Sequence, residues 1–235
     1  MVIPEPRFCR AEAFAHLASQ LTRLETSAGL LHGAIAVAQH YLPQTIADRV
    51  DSDIQRIVDT IDKRINQHQI NAIVAHAHDV LFDDLGFAGN TDDYYHRNNC
   101  LLPRVLETKQ GMPITLALVY KVVLDRLGAT VTGVNAPGHF MTAVEMDGGQ
   151  VIIDCFERGR MLTVEEANVR VGQVIGRSVT EDDAMLRPAT HRQWLDRLMQ
   201  NLIGLHQADQ MERDLRAMLE MQQLLRLKLE PPAEL

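Results

Sequence analysis

Two residues in the middle of the sequence have the types and spacing for proton chemistry. His139 follows Pro137-Gly138 at the head of one β-like run, and Asp154 closes the next, so pairing the two runs brings imidazole and carboxylate together. A carboxylate on an imidazole fixes its tautomer and holds it ready as a general base. A histidine after a turn can equally be a hydrogen-bonded wall residue, so the pair alone does not define a catalyst.

A thiol nucleophile would have to come from Cys9, Cys100 or Cys155. Three cysteines without CxxC spacing exclude a disulfide framework and a zinc ribbon, and they fit a reducing cytosol. Cys155 follows Asp154 directly, and neighbours on a strand point to opposite faces, which separates the two. His76 and His78 are two apart on a predicted helix and diverge, unlike the i, i+4 pair of a metal site, so with His68 they read as solvated. Asp83-Asp84 and Asp182-Asp183 read as caps or surface residues rather than metal ligands. Gly148-Gly149 reads as a turn, because no helix follows it to cradle a phosphate. No metal and no cofactor is expected.

The elements that must position His139 and Asp154 follow from periodicity. The first 90 residues read as helices: Phe14, Leu17, Leu21 and Leu24; Leu30, Leu31, Ala34, Ile35 and Ala38; Ile54, Ile57, Val58, Ile61 and Ile65 with Asp51 or Ser52 as cap; and Ile70, Ile73, Val74, Ala77 and Leu81, with Gly86 near the end. Residues 89–99 are polar and rich in turn formers, hence a loop. Ile114 to Leu127 is too apolar for a surface helix and reads as a central one, stopped by Gly128. Thr130 to Val134, Phe140 to Glu145 and Val151 to Asp154, separated by Ala136-Pro137-Gly138 and Asp147-Gly148-Gly149, predict an antiparallel meander. Thr163 and Glu166 have capping-box spacing and start another helix. Leu195, Leu198, Leu202 and Leu205, then Met211, Leu215, Met218, Gln222, Leu225 and Leu229, predict a helical hairpin whose apolar seam is too short for a sustained coiled coil.

The chain of 235 residues carries 23 Lys+Arg against 31 Asp+Glu, and its net charge of −8 argues against broad electrostatic binding to nucleic acid or an anionic membrane. With 46% hydrophobic and 23% charged residues it has the composition of a soluble globular protein. The N-terminal residues lack the pattern of a signal peptide, and Lys121 and Asp125 interrupt the longest apolar segment, so neither a leader nor a membrane span is expected.

The sequence resembles the SirB-type transglutaminase-like proteins of bacteria. The resemblance is carried by Leu85-Gly86-Phe87 with Gly89-Asn90, Asp93-Tyr94-Tyr95, Val105-Leu106-Glu107, Gly111-Met112-Pro113-Ile114-Thr115-Leu116, Arg126-Leu127-Gly128, Gly133-Val134 with Pro137-Gly138-His139-Phe140, and Ile153-Asp154-Cys155-Phe156. It implies an α+β fold: a helical N-terminal part over 1–90, a transglutaminase-like core over 91–185 in which a central helix packs on a small antiparallel sheet, and tetratricopeptide-like helices over 186–235. Such family members continue past the equivalent of Pro231-Pro232, whereas this sequence ends at Leu235.

In active transglutaminase-like enzymes the resemblance implies a Cys at the start of the central helix, where the helix N-terminus lowers the thiol pKa, followed by a His and an Asp on adjacent strands. His139 and Asp154 match the last two. Pro113 stands at the nucleophile position, and Pro suits the first turn of a helix but offers no nucleophile. Thr115 lies about 200° further round the helix and does not replace it. Asn99, Glu107, Gly111, Thr115 and Phe140 are the candidates to line the cleft. The expectation is a cytoplasmic, catalytically inactive protein that binds a protein partner or a small, peptide-like ligand, contacts no nucleic acid directly and acts in regulation. The alternative is an active cysteine hydrolase or amide transferase that uses Cys155 or Cys100 with His139 as base.

Overall fold

The structure, a computed structural model, describes residues 4–179 and 185–227. Asp182-Asp183, Leu229 and Pro231-Pro232 lie outside the described residues.

Helices α1 (Ala11–Gln20), α2 (Ser27–Tyr41), α3 (Ala47–Asp62) and α4 (Ile70–His78) come first in the chain. The apolar stripes expected of them are the faces they bury: Phe14 and Leu17 from α1, Leu30, Leu31, Ala34 and Ile35 from α2, Ile54, Ile57, Val58 and Ile61 from α3, Ile73, Val74 and Ala77 from α4. Two boundaries differ from expectation. α3 starts four residues before Asp51, with Ile46 at its N-cap and no side-chain cap, because Val50 already contributes to the buried stripe. After α4 the chain widens into a π-helical turn, Asp79–Asp84. The extra residue per turn lets Val80, Leu81 and Phe82, three in a row, all be buried.

A short helix α5 (Leu102–Thr108) leads to the central helix α6 (Pro113–Arg126), in which every residue from Pro113 to Leu124 is buried. Pro113 occupies its first turn, where a missing N–H costs nothing. The buried Lys121 is neutralised by Asp125 at 2.8 Å and donates to the Val131 carbonyl at 2.6 Å, which ties α6 to the strand that follows.

The meander forms as expected, as β3 (Val131–Ala136), β4 (His139–Met146) and β5 (Gly149–Asp154); β1 (Ala88–Gly89) and β2 (Gln110–Gly111) make a separate two-stranded parallel pair upstream. Two short strands complete the larger sheet, β6 (Arg160–Leu162) beside β5 and β7 (Pro188–Ala189) beside β3, in the order β6-β5-β4-β3-β7. Pro137-Gly138 makes the β3–β4 turn, and Gly138 takes φ +71°, which only glycine adopts at low cost.

The sheet has a helix on each face. Phe140, Val144, Ile153 and Cys155 join the main core around α6, whereas Val134, Met141, Ala143 and Ile152 form a second cluster with Ala167 and Val171 of α7 (Val164–Ile175). α7 begins with the expected capping box of Thr163 and Glu166. α8 (His191–Ala208) and α9 (Glu212–Arg226) form the hairpin, and α8 packs on α2 and α6. No helix among the described residues is long and apolar enough to cross a membrane.

Trp194 of α8 locks hairpin, sheet and central helix together. Fully buried, it packs on Phe140 with ring centroids 4.6 Å apart and donates from Nε1 to the Ile114 carbonyl at 3.1 Å. Trp194→Phe keeps most of the packing and loses the hydrogen bond, so urea denaturation should show a loss of about 1–2 kcal/mol. An unchanged midpoint would show that this bond does not hold α8 to α6.

Candidate active site

The register of β4 on β5 sets Thr142 opposite Ile153, so Asp154 falls opposite Met141, two residues from His139 on the same face. That diagonal is short enough for a direct bond: His139 Nε2 lies 2.8 Å from Asp154 Oδ2. Since a carboxylate only accepts, the imidazole donates through Nε2, and in the neutral form of the ring Nδ1 is then the acceptor. Nδ1 makes no hydrogen bond among the described residues.

The carboxylate is fully buried and its partners hold it on both oxygens. Oδ1 accepts from the Phe156 and Glu157 amides at 3.0 and 3.3 Å, and Oδ2 also meets Arg170 Nη1 at 3.2 Å. Arg170 reaches in from α7 and grips Glu157 with both Nη1, at 2.9 Å, and Nη2. His139, Asp154, Arg170 and Glu157 thus form one chain of alternating donor and acceptor. Arg170 and Glu157 were not expected from the sequence; the only signal was that a capping box starts a helix eight residues after Cys155, which puts α7 beside the strand carrying Asp154.

Around the pair the walls are aromatic. Phe156 stands edge-on to His139 with centroids 6.2 Å apart and edge-on to Tyr94 at 5.7 Å. Its ring lies over Gly89, where an added Cβ would come within 2.4 Å of it. Gly89 pairs in turn with Gly111, two residues before Pro113. A bulkier residue at 89 would displace the Phe156 ring that stands against His139.

The other expected cleft residues have different surroundings. Asn99 is buried and supports the loop, donating to the Asp93 and Tyr94 carbonyls at 2.7 and 3.0 Å and accepting from Asn90. Gly111 is in β2, where a Cβ would press on Val105. Phe140 lies in the core against Trp194 rather than on a cleft wall. Thr115 is 1% exposed with its hydroxyl unpartnered, also inside the core. Glu107 is exposed, pairs with Arg104 at 2.7 Å and lines a separate cleft with Asp53, Arg56 and Lys109.

The three thiols are buried. Cys155 Sγ lies 4.0 Å from Thr142 Oγ1, and Thr142 is on the opposite face of β4 from His139, so strand alternation separates Cys155 from the imidazole. Burial, reinforced by the Asp154 charge, pushes the Cys155 thiol well up. Cys100 donates to Met112 Sδ at 3.2 Å, and burial pushes its thiol up to about 12. Cys9 is also raised to about 12, by burial and then by Glu220.

One expectation about the remaining histidines is corrected. His68 is half exposed beside Asp62, but His78 is not solvated: its Nε2 shares a hydrogen bond with the buried Tyr120 hydroxyl at 3.0 Å, and burial lowers its pKa to about 4. The packing of α4 on α6 turns it inward.

Residues 48–200 match the family model described as the transglutaminase-like superfamily. Among curated relatives, a UPF0162 protein of Xylella fastidiosa (strain 9a5c) is 34% identical over 177 residues, covering 74% of this chain and 63% of that protein. UPF0162 protein PA3419 of Pseudomonas aeruginosa is 27% identical over 179 residues, 76% of this chain and 65% of that protein. F-box only protein 21 of Mus musculus is 32% identical over 134 residues, 54% of this chain and 20% of that protein. The chain thus spans somewhat under two thirds of the length of these bacterial relatives. No solved structure matches.

Proposed function

Because the chain belongs to the transglutaminase-like superfamily, we propose that it is a member of the SirB-type branch that binds a peptide-like ligand or protein partner without turning it over, acting as a regulator in the cytoplasm. The observation that carries this reading is a hydrogen-bonded imidazole–carboxylate pair in a chain whose central helix opens without a thiol. His139 and Asp154 are hydrogen-bonded at 2.8 Å, while the residue that opens α6 is Pro113. Buried Asp154 fixes the orientation of the imidazole through Nε2 and leaves the Nδ1 edge free for a polar group of a bound ligand. Segments 1–90, 91–185 and 186–235 act as one unit, since one hydrophobic core runs from Cys9 in the first to Leu225 in the last.

The bonded pair also suits a cysteine hydrolase or amide transferase, provided that Cys155 or Cys100 reaches it, so alkylation separates the two readings. Iodoacetamide at pH 7 is expected to label no cysteine selectively in the folded protein, and the rates at all three should rise together on unfolding in urea. Rapid labelling of Cys155 or Cys100 that His139→Ala suppresses would overturn the inactive reading. Capture of a partner by the wild type, lost in His139→Ala at unchanged thermal stability, is the expected positive result.

A further inference from the structure

Arg197 is a half-buried guanidinium that, among the described residues, hydrogen-bonds only to the Asn135 side chain, donating from Nη1 to Oδ1 at 3.2 Å. It makes no ion pair among the described residues. Asn135 of β3 pairs with Phe140 of β4, on the sheet face opposite His139, and the link from this region to the His139 site is Tyr94, whose ring meets Phe156 where Phe156 stands edge-on to His139. One turn further along the same face of α8 begins a groove of about 390 Å³, lined by Tyr94, Tyr95, Met112, Asn201, Leu205 and Asp209. Arg197 lies close enough to Tyr94 for its charge to act on the phenol. At the far end Asp209 is exposed and likewise makes no ion pair among the described residues.

A cation thus stands one helical turn beyond one end of the groove, an anion lines the other end, and Tyr94, Tyr95, Met112 and Leu205 lie between them. Gly204 and Ala208 leave its α8 wall open. Tyr95, 76% exposed, is an aromatic ring left to solvent beside it. Among the described residues the Asn201 carboxamide has only Met112 Sδ as partner, at 3.7 Å, a weak acceptor that leaves a donor and an acceptor for a peptide unit. From Arg197 to Asp209 the helix rises about 18 Å, the reach of about five or six residues of extended chain.

We propose that this groove is the docking site for an extended peptide segment of a protein partner, with an acidic side chain on Arg197, an apolar side chain between Tyr95 and Leu205, and a basic side chain on Asp209. The inference rests on the reading of the His139 cleft as a binding site and supplies the chemistry of what it binds. Charge complementarity selects this occupant: a segment with both signs, spaced to match, satisfies Arg197 and Asp209 together, and its polarity fixes the direction in which it lies.

The test is a positional-scanning library of N-acetylated, C-amidated hexapeptides, in which only side chains carry charge, bound to the full chain. Glu or Asp should be enriched at one end and Lys or Arg at the other, with an apolar residue between. Arg197→Glu and Asp209→Lys should each weaken the best hexapeptide tenfold or more at unchanged thermal stability, and Arg197→Glu should switch the preferred acidic position to basic. No binding, no charge preference, or a preference unmoved by Arg197→Glu would overturn the proposal. Concentration-dependent dimerisation abolished by Arg197→Glu would assign the groove to a second copy of this chain and also overturn it. If partner capture depends on His139 while the library shows no charge preference, the binding function stands and this groove assignment falls. If the charge-selective peptide binds but His139→Ala leaves both its affinity and partner capture unchanged, the groove stands and the reading of the His139 cleft falls.

Discussion

Asp154→Ala should lower the free energy of unfolding by about 3 kcal/mol or more, within the range of about 3–5 kcal/mol for removing one partner of a buried ion pair. The carboxylate has no exposure and is shared among four donors: His139 Nε2, Arg170 Nη1 and the Phe156 and Glu157 amides. Alanine leaves the two amides and the imidazole N–H without their acceptor. Arg170, 26% exposed and still held by Glu157, is the least affected, which puts the expected loss toward the lower end. Asp154→Asn keeps an oxygen for the amides but removes the charge facing Arg170, so it should cost about half as much. Arg170→Ala removes a guanidinium that also reaches solvent and should cost least of the three. Urea midpoints read this order. An Asp154→Ala protein within about 1 kcal/mol of the wild type would show that the network does not hold the strand ends together.

The legible and illegible parts of this site divide along physical lines. His139 and Asp154 sit at opposite ends of two adjacent strand patterns joined by a tight turn, and the period of two fixes which face each residue takes, so their meeting could be derived from the sequence. The same alternation argued that Cys155 points away, and its contact with Thr142 places it there. The capping box at Thr163 and Glu166 marked where α7 starts. It did not say that Arg170, two turns along, would reach Asp154, because that depends on the angle at which α7 crosses the sheet. β7 was invisible for a similar reason: Pro188–Ala189 has no strand pattern and is held only by pairing with Val134 and Gly133. The inward turn of His78 was decided by α4 packing on Tyr120 of α6, and a two-residue spacing carries no information about that neighbour.

Site and scaffold are therefore stabilised by different kinds of contact. Apolar burial around α6 specifies where the strands lie, and it is insensitive to pH. Polar contacts such as Asp154 with Arg170, Lys121 with Asp125 and Tyr41 with His206 specify how the elements are joined at their ends. The joints are where proton uptake can loosen the fold while the apolar core is unchanged.

Acidification should expose this, through buried histidines that the fold keeps neutral. His78 falls from 6.5 to about 4 because burial disfavours its charged form, against the weaker opposite pull of Asp79 and Asp83. Burial also lowers His32, His40 and His206. A histidine whose folded pKa is depressed binds its proton more readily in the unfolded chain, so stability falls as pH drops below 6.5 and the loss is complete once pH passes the folded value. For His78 alone the window is pH 6.5 to about 4, and at about 1.4 kcal/mol per unit the loss amounts to about 3 kcal/mol. The remaining three act in the same direction. His78→Gln retains a partner for the Tyr120 hydroxyl and does not titrate, so it should cost about 1 kcal/mol at pH 7 yet flatten the fall in stability between pH 6.5 and 4. The difference between the two curves reads the proton uptake of His78 together with its coupling to Asp79 and Asp83. Parallel urea-denaturation curves across that window would mean that His78 takes up its proton equally well folded and unfolded, contrary to its burial against Tyr120 and Phe82.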